Sequence, residues 1–137
     1  MAPDITAGGL AARGWTEKAV RQFVRTSIAP QGSAFSEMHL VASLSTQYLN
    51  ERDLHALARF TMGDSAPPPQ VHKEDLATDR HLGNGRQLYM NACAGYHGLE
   101  GDGDGQPHLA VARRGNSTLR QADARNLVTA ILDGVPT

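Results

Sequence analysis

The sequence predicts an all-α fold with long irregular connections. Apolar residues recur at helical spacing in four segments, most of them bounded by recognisable caps and stops. No segment alternates apolar and polar residues over a useful length, so no β-strand is expected. The stretches between the helices are rich in glycine, proline and mixed charge.

The first dozen residues, with Pro3, Gly8 and Gly9, read as loop. A helix then starts at Thr16, an N-cap bracketed by Trp15 and Val20 as a hydrophobic staple. Ala19, Val20, Phe23 and Val24 form its apolar face, and Pro30 and Gly32 end it. Residues 28–47 show neither period and read as irregular. A second helix starts at Asn50, with Asp53 in its first turn and Leu49 stapled to Leu54. Its expected buried residues are Leu54, Leu57, Ala58 and Phe60, and Gly63 stops it.

Residues 64–80 form a linker, stiffened by Pro67-Pro68-Pro69 and followed by the mixed charges of Lys73, Glu74, Asp75, Asp79 and Arg80. This is the one domain boundary read from the chain. A third helix spans Gly85 to Cys93, with Leu88, Tyr89 and Ala92 on one side. A glycine-rich acidic loop follows from Gly98 to Gly105. The fourth helix takes Asp123 as N-cap and carries Leu127, Val128, Ile131 and Leu132; Gly134 and Pro136 terminate it.

The 137 residues suffice for one ordinary domain or two very small ones. The hydrophobic content of 40% is globular, but aromatics make up only 5%, which excludes a large aromatic core. An apolar prosthetic group would supply the missing volume. A formal net charge of −1 gives no electrostatic footprint for nucleic acid. No run of about 18 apolar residues is present, so no membrane-spanning segment is expected. No signal-peptide pattern is read at the start.

The chemistry concentrates around the single cysteine. Cys93-Ala94-Gly95-Tyr96-His97 is one residue away from the haem-attachment pattern Cys-x-x-Cys-His. In that pattern two thiols add across the haem vinyl groups and the adjacent histidine ligates iron. Tyr96 stands where the second cysteine would be and forms no thioether, so Cys93 alone remains for attachment. Taken by itself the pentapeptide reads more readily as a buried free cysteine beside an incidental histidine than as a haem site.

The flanking residues extend the pattern. From Gly85 to Gly103 the chain resembles the N-terminal half of a class I cytochrome c domain. Gly85 and Tyr89 match its opening helix, and His97, Gly98, Gly101 and Gly103 match its His-Gly-x-x-Gly-x-Gly loop. Leu109-Ala110, Asn116-Ser117 and the run from Asn126 to Gly134 resemble the middle of such a domain. The first half resembles the end of a preceding one, through Pro3-Asp4-Ile5-Thr6, Gly14-Trp15-Thr16, Phe23-Val24-Arg25-Thr26, Met38 and the helix from Leu49 to Phe60. Together they are similar to the multi-haem cytochrome c subunits of membrane-bound alcohol- and gluconate-type dehydrogenases.

The resemblance implies two incomplete cytochrome c-like domains, over residues 1–63 and 81–137, joined by the linker. The first half lacks an attachment motif of its own, expected upstream of residue 1; the second stops before a methionine loop. It further implies haem c held by a single thioether through Cys93, or lost. His97 and Met38 are the implied iron ligands, the soft thioether of Met38 favouring ferrous iron. These complementary halves raise a permuted arrangement in which His97 and Met38 ligate one iron across the linker. About 17 residues cover that span at up to ~3.3 Å each. The implied role is electron transfer rather than catalysis. Its partners are a dehydrogenase catalytic subunit and the quinone or terminal-oxidase side of the respiratory chain. The implied location is periplasmic, with membrane association through the parent complex. The rival expectation, favoured by Tyr96, is a haem-free helical remnant or interaction module.

Other residues carry less. Met62 and Met90 read as helix packing residues, Trp15 as a core anchor and His55 as a surface group. His39 adjoins Met38; His72, His81 and His108 sit in or near loops without ligand spacing. Arg113-Arg114 suits haem propionates or plain solvation. The acidic loop lacks the closing glutamate of a calcium site, one cysteine argues against zinc, and no catalytic triad or paired carboxylates are evident.

Overall fold

The computed structural model describes residues 3–64, 67–70, 82–101, 116–121 and 123–134. Among the described residues the fold is all-α apart from one minimal hairpin. In order, the elements are α1 (Ala7–Ala12), α2 (Glu17–Thr26), β1 (Ile28–Ala29), β2 (Gly32–Ser33), α3 (Glu37–Leu44), a 3-10 turn (Thr46–Tyr48) and α4 (Glu51–Met62). Later in the chain come α5 (Leu82–Ala92), α6 (Ala94–His97), a further 3-10 turn (Ser117–Arg120) and α7 (Arg125–Asp133).

α1 replaces the expected loop. Thr6 caps it, accepting from the Gly9 N–H at 3.2 Å. The two glycines that lower its helix propensity hide it in sequence. Gly9 is needed for space, since a Cβ there would lie 2.4 Å from the Asp4 carboxyl carbon. α2 begins as expected: Thr16 accepts from the Ala19 N–H at 3.1 Å. It ends earlier than Pro30, at Thr26. Ser27 adopts a left-handed φ of 63° and donates its N–H to the Phe23 carbonyl at 2.8 Å.

The core lies between α1, α2, β1 and α4. Leu10, Trp15, Ala19, Val20, Ala29, Ala58 and Met62 form one buried cluster, with Phe23 and Val24 against it. Trp15 is the anchor the sequence suggested; its ring meets Phe23 edge to face, centroids 5.3 Å apart. Asn50 caps α4 through the Asp53 N–H at 2.9 Å. Leu54, Ala58 and Met62 then recur every four residues on its buried side.

Phe60 corrects the sequence reading. It is 90% exposed, because two residues beyond Ala58 the helix has turned by about 200°. Leu57 is also exposed. Surface pairs join α4 to its neighbours: His55 Nε2 lies 3.0 Å from Glu17 Oε1, and Arg25 reaches Glu51 at 2.5 Å.

Residues 28–47 are more regular than expected. Ile28 pairs with Ser33 and Ala29 with Gly32 in an antiparallel hairpin turning through Pro30 and Gln31. α3 and its 3-10 turn follow and pack on one another, with α2 beneath both. Helical period is weak here because apolar residues surround most of α3.

In the second half, α5 starts at Leu82, earlier than Gly85. α5 packs on α6, and α7 on the 3-10 turn Ser117–Arg120. That turn also seats on β2. Asp123 sits one residue before the N-cap, Ala124, and accepts from the Arg125 N–H at 3.0 Å. Gly134 closes α7 as expected, donating to the Ala130 carbonyl at 3.1 Å. The expected buried face of α7 is not buried: Val128, Ile131 and Leu132 are exposed. Leu88 of α5 is exposed as well, and Met90, read as a packing residue, is 39% exposed.

Candidate functional site

The attachment segment is built as a single helical turn set off from α5. α5 ends at Ala92, and the N–H of Cys93 still closes on the Tyr89 carbonyl at 2.8 Å. Cys93 then starts α6 with φ −122° and ψ −33°. Its carbonyl accepts from the N–H groups of Tyr96 at 3.1 Å and His97 at 3.0 Å. Residues four apart on a helix stack on one face. The thiol of Cys93 and the imidazole of His97 therefore project from the same side of this turn. Both residues are half-buried, and Cys93 is a free thiol.

Two glycines carry the chain away from His97. Gly98 has φ 76° and Gly101 has φ 72°, and the Gly101 N–H returns to the Gly98 carbonyl at 3.2 Å. Both backbones occupy the left-handed region that favours glycine. The His-Gly-x-x-Gly spacing thus has a physical reason: it folds a tight turn immediately after His97. The third glycine of the pattern, Gly103, lies outside the described residues, as do Asp102, Asp104, His72, His81, His108, Arg113 and Arg114.

Tyr96 occupies the position of the absent second cysteine and is 77% exposed. Among the described residues, no contact explains a tyrosine there. The structure brings Cys93 and His97 together on one turn; Met38 belongs to a different element, α3, whose packing neighbours are α2 and the 3-10 turn Thr46–Tyr48.

The placement of Met38 is informative in another way. It is 60% exposed on α3. Met38, Leu40, Val41 and Leu44 of α3 face outward, while Ala42 is buried and His39 and Ser43 are half-buried. His39 Nδ1 is enclosed without a hydrogen-bond partner. The helix also starts poorly: Ser36 takes φ 54° and its side chain caps nothing. Met38, Leu40, Val41 and Leu44 leave apolar surface of α3 exposed. Tyr48 at its end is exposed too.

The donor set suits a c-type haem only in part. One thiol and one imidazole share a face; a thioether stands on a separate apolar face; the second thioether link is chemically excluded at Tyr96. Sequence reasoning named Cys93, His97 and Met38 by motif and resemblance. It missed the outward face of α3 and the second role of Tyr89, whose hydroxyl donates to the Gly98 carbonyl at 2.5 Å. Only the glycine-aromatic spacing of Gly85 and Tyr89 hinted at the latter.

Among the described residues no helix is long and apolar enough to cross a membrane, and no cluster of three or more His, Cys, Asp or Glu side chains forms a metal site. No family model matches the chain. Curated relatives do. A protein of Gluconacetobacter polyoxogenes is 26% identical over 129 residues, covering 88% of this chain. Another, of Komagataeibacter europaeus, matches equally at 26% over the same length. The chain spans about a quarter of the length of these relatives, 27% of each. Both are named as the cytochrome c subunit of a quinone alcohol dehydrogenase, so sequence comparison and the motif around His97 agree on the kind of protein this chain resembles.

Proposed function

We propose that this chain is a haem-binding electron-transfer protein, a c-type cytochrome subunit passing electrons from a periplasmic dehydrogenase to the respiratory chain. The observation that carries the proposal is the α6 turn, whose hydrogen bonds from Cys93 to His97 put these two residues four apart on one helical face, followed by the Gly98–Gly101 turn. The names of the two relatives support it.

Haem, when bound, supplies reversible one-electron chemistry at iron. The chain supplies binding, orientation and exclusion of water. Cys93 would offer a thiol for one thioether, His97 an imidazole nitrogen for iron, and Met38 a soft thioether as a further ligand. The apolar face of α3 around Met38 suits the flat apolar surface of a macrocycle, and covering it would remove the exposure of Leu40, Val41 and Leu44 from water. No bond of an organic substrate is made or broken by any residue in this reading. The dehydrogenase catalytic subunit is the electron donor, and the quinone or oxidase side of the chain is the acceptor. Location is periplasmic, with membrane association through the parent complex. The domain division at residues 64–80 belongs to the same proposal.

Absorbance spectra of the haem-loaded chain test the ligands. Met38→Ala changes the spectrum of the reduced and oxidised forms if methionine ligates; an unchanged spectrum removes Met38 from the site. A second reading, a haem-free interaction module, is favoured by the exposed Tyr96 where attachment chemistry needs a thiol.

A further inference from the structure

α5 is almost wholly a solvent-exposed helix. None of its residues is buried, and from Leu82 to Ala92 every side chain is exposed except that of Tyr89, which is half-buried. This one residue touches the attachment segment at both ends. Its backbone carbonyl accepts from the Cys93 N–H at 2.8 Å, the start of the segment. Its hydroxyl donates to the carbonyl of Gly98 at 2.5 Å, one residue past His97.

We propose that the Tyr89 hydroxyl is a positioning group for His97: it clasps the Gly98 carbonyl and so fixes the turn that carries the imidazole. The role in ligation rests on the haem reading above; the clasp itself does not. The argument is one of constraint. α6 is one turn long, and an isolated helical turn is unstable by itself because nucleation costs more than its first hydrogen bonds return. Beyond it lies Gly98, whose φ of 76° is open to wide conformational freedom. The backbone hydrogen bonds of a single turn therefore hold this junction loosely. A short hydroxyl–carbonyl bond from α5 removes that freedom at the junction between α6 and the Gly98–Gly101 turn. The same carbonyl also accepts from the Gly101 N–H at 3.2 Å, so one oxygen gathers the end of α6, the glycine turn and α5. A metal ligand needs such support from outside its own element to keep its orientation.

The test uses the full chain and two variants. Tyr89→Phe keeps the ring and loses the hydroxyl; Tyr89→Leu loses both. In the haem-free chain, amide exchange at His97, Gly98 and Gly101 should quicken about tenfold in Tyr89→Phe, the effect of one lost hydrogen bond on local opening. Amides of α4 should not change. Tyr89→Leu should add little at these three amides. In the haem-loaded chain, Tyr89→Phe should shift the reduction potential while the haem stays covalently attached. Exchange in Tyr89→Phe equal to that of the parent chain, with an effect only in Tyr89→Leu, overturns the proposal and leaves ring packing alone. A parent chain that takes up no haem defeats the haem reading, and the exchange measurement still decides the clasp.

Discussion

Ser117 places two donors on one acceptor: its N–H at 2.7 Å and its hydroxyl at 2.8 Å both reach the carbonyl oxygen of Gln31. The two residues are 86 apart in the chain. Gln31 is the turn residue of the hairpin that leads to α3, and Ser117 opens the 3-10 turn that leads to α7. Ser117 and its neighbour Asn116 are buried. Through this contact the second half of the chain is joined to the first.

The double bond gives the first prediction. Ser117→Ala retains the backbone donor and loses the hydroxyl, so stability should fall by about 1 kcal/mol, the usual net value of one hydrogen bond. Urea denaturation checks this. A loss confined to the 3-10 turn Ser117–Arg120, read by amide exchange, would show that the two halves unfold separately.

The buried side of α4 gives a sharper contrast. Leu54→Ala should destabilise by about 2–5 kcal/mol, since Leu54 is 1% exposed and truncation leaves a cavity. Phe60→Ala should change stability by no more than about 0.5 kcal/mol in the haem-free chain. Denaturation midpoints of the two variants decide whether α4 is oriented as described.

Capping offers an independent check of helix starts. Asn50→Ala removes the acceptor for the Asp53 N–H and should cost about 1 kcal/mol. Asn50→Gly should cost only a few tenths, because glycine is tolerated at an N-cap. Equal losses in the two variants would mean that the side chain of Asn50 is not the cap.

Asp123 sets an acid dependence. Hydrogen bonds from the Arg125 side chain and backbone, with the guanidinium charge, hold its carboxyl down at about 2 against an ordinary 3.8. A carboxyl with a lower value in the folded state adds stability that is fully present above the ordinary value. That stability is lost as pH falls through the folded one. The start of α7 should therefore stay ordered down to pH 3.8 and loosen between there and about 2. Amide exchange at Arg125 and Val128 follows the change. Asp123→Asn should abolish the dependence, and salt should weaken it because the pair is exposed.

Some of this structure is legible in the sequence and some is not, for physical reasons that differ by residue. Thr16 and Asn50 announce their helices because a cap is a local contact, and Trp15 anchors the core as its size requires. α1 escaped notice because glycine at positions 8 and 9 argues against helix, while the close approach of Asp4 that demands Gly9 is tertiary. α3 escaped because its apolar residues Met38, Leu40, Val41, Ala42 and Leu44 spread around most of the helix, so no one-sided period stands out. In the site, Cys93 and His97 are a spacing and can be read directly. The Tyr89–Gly98 bond depends on how α6 breaks from α5, which no pattern encodes.

The central claim is attachment and ligation of haem at Cys93 and His97, and a haem-stained denaturing gel of the chain produced with c-type maturation machinery tests it most directly. The account predicts a stained band at the mass of the chain that disappears in Cys93→Ala and persists in Tyr96→Phe. A parent chain without stain, and without haem absorbance when free haem is added, would contradict it.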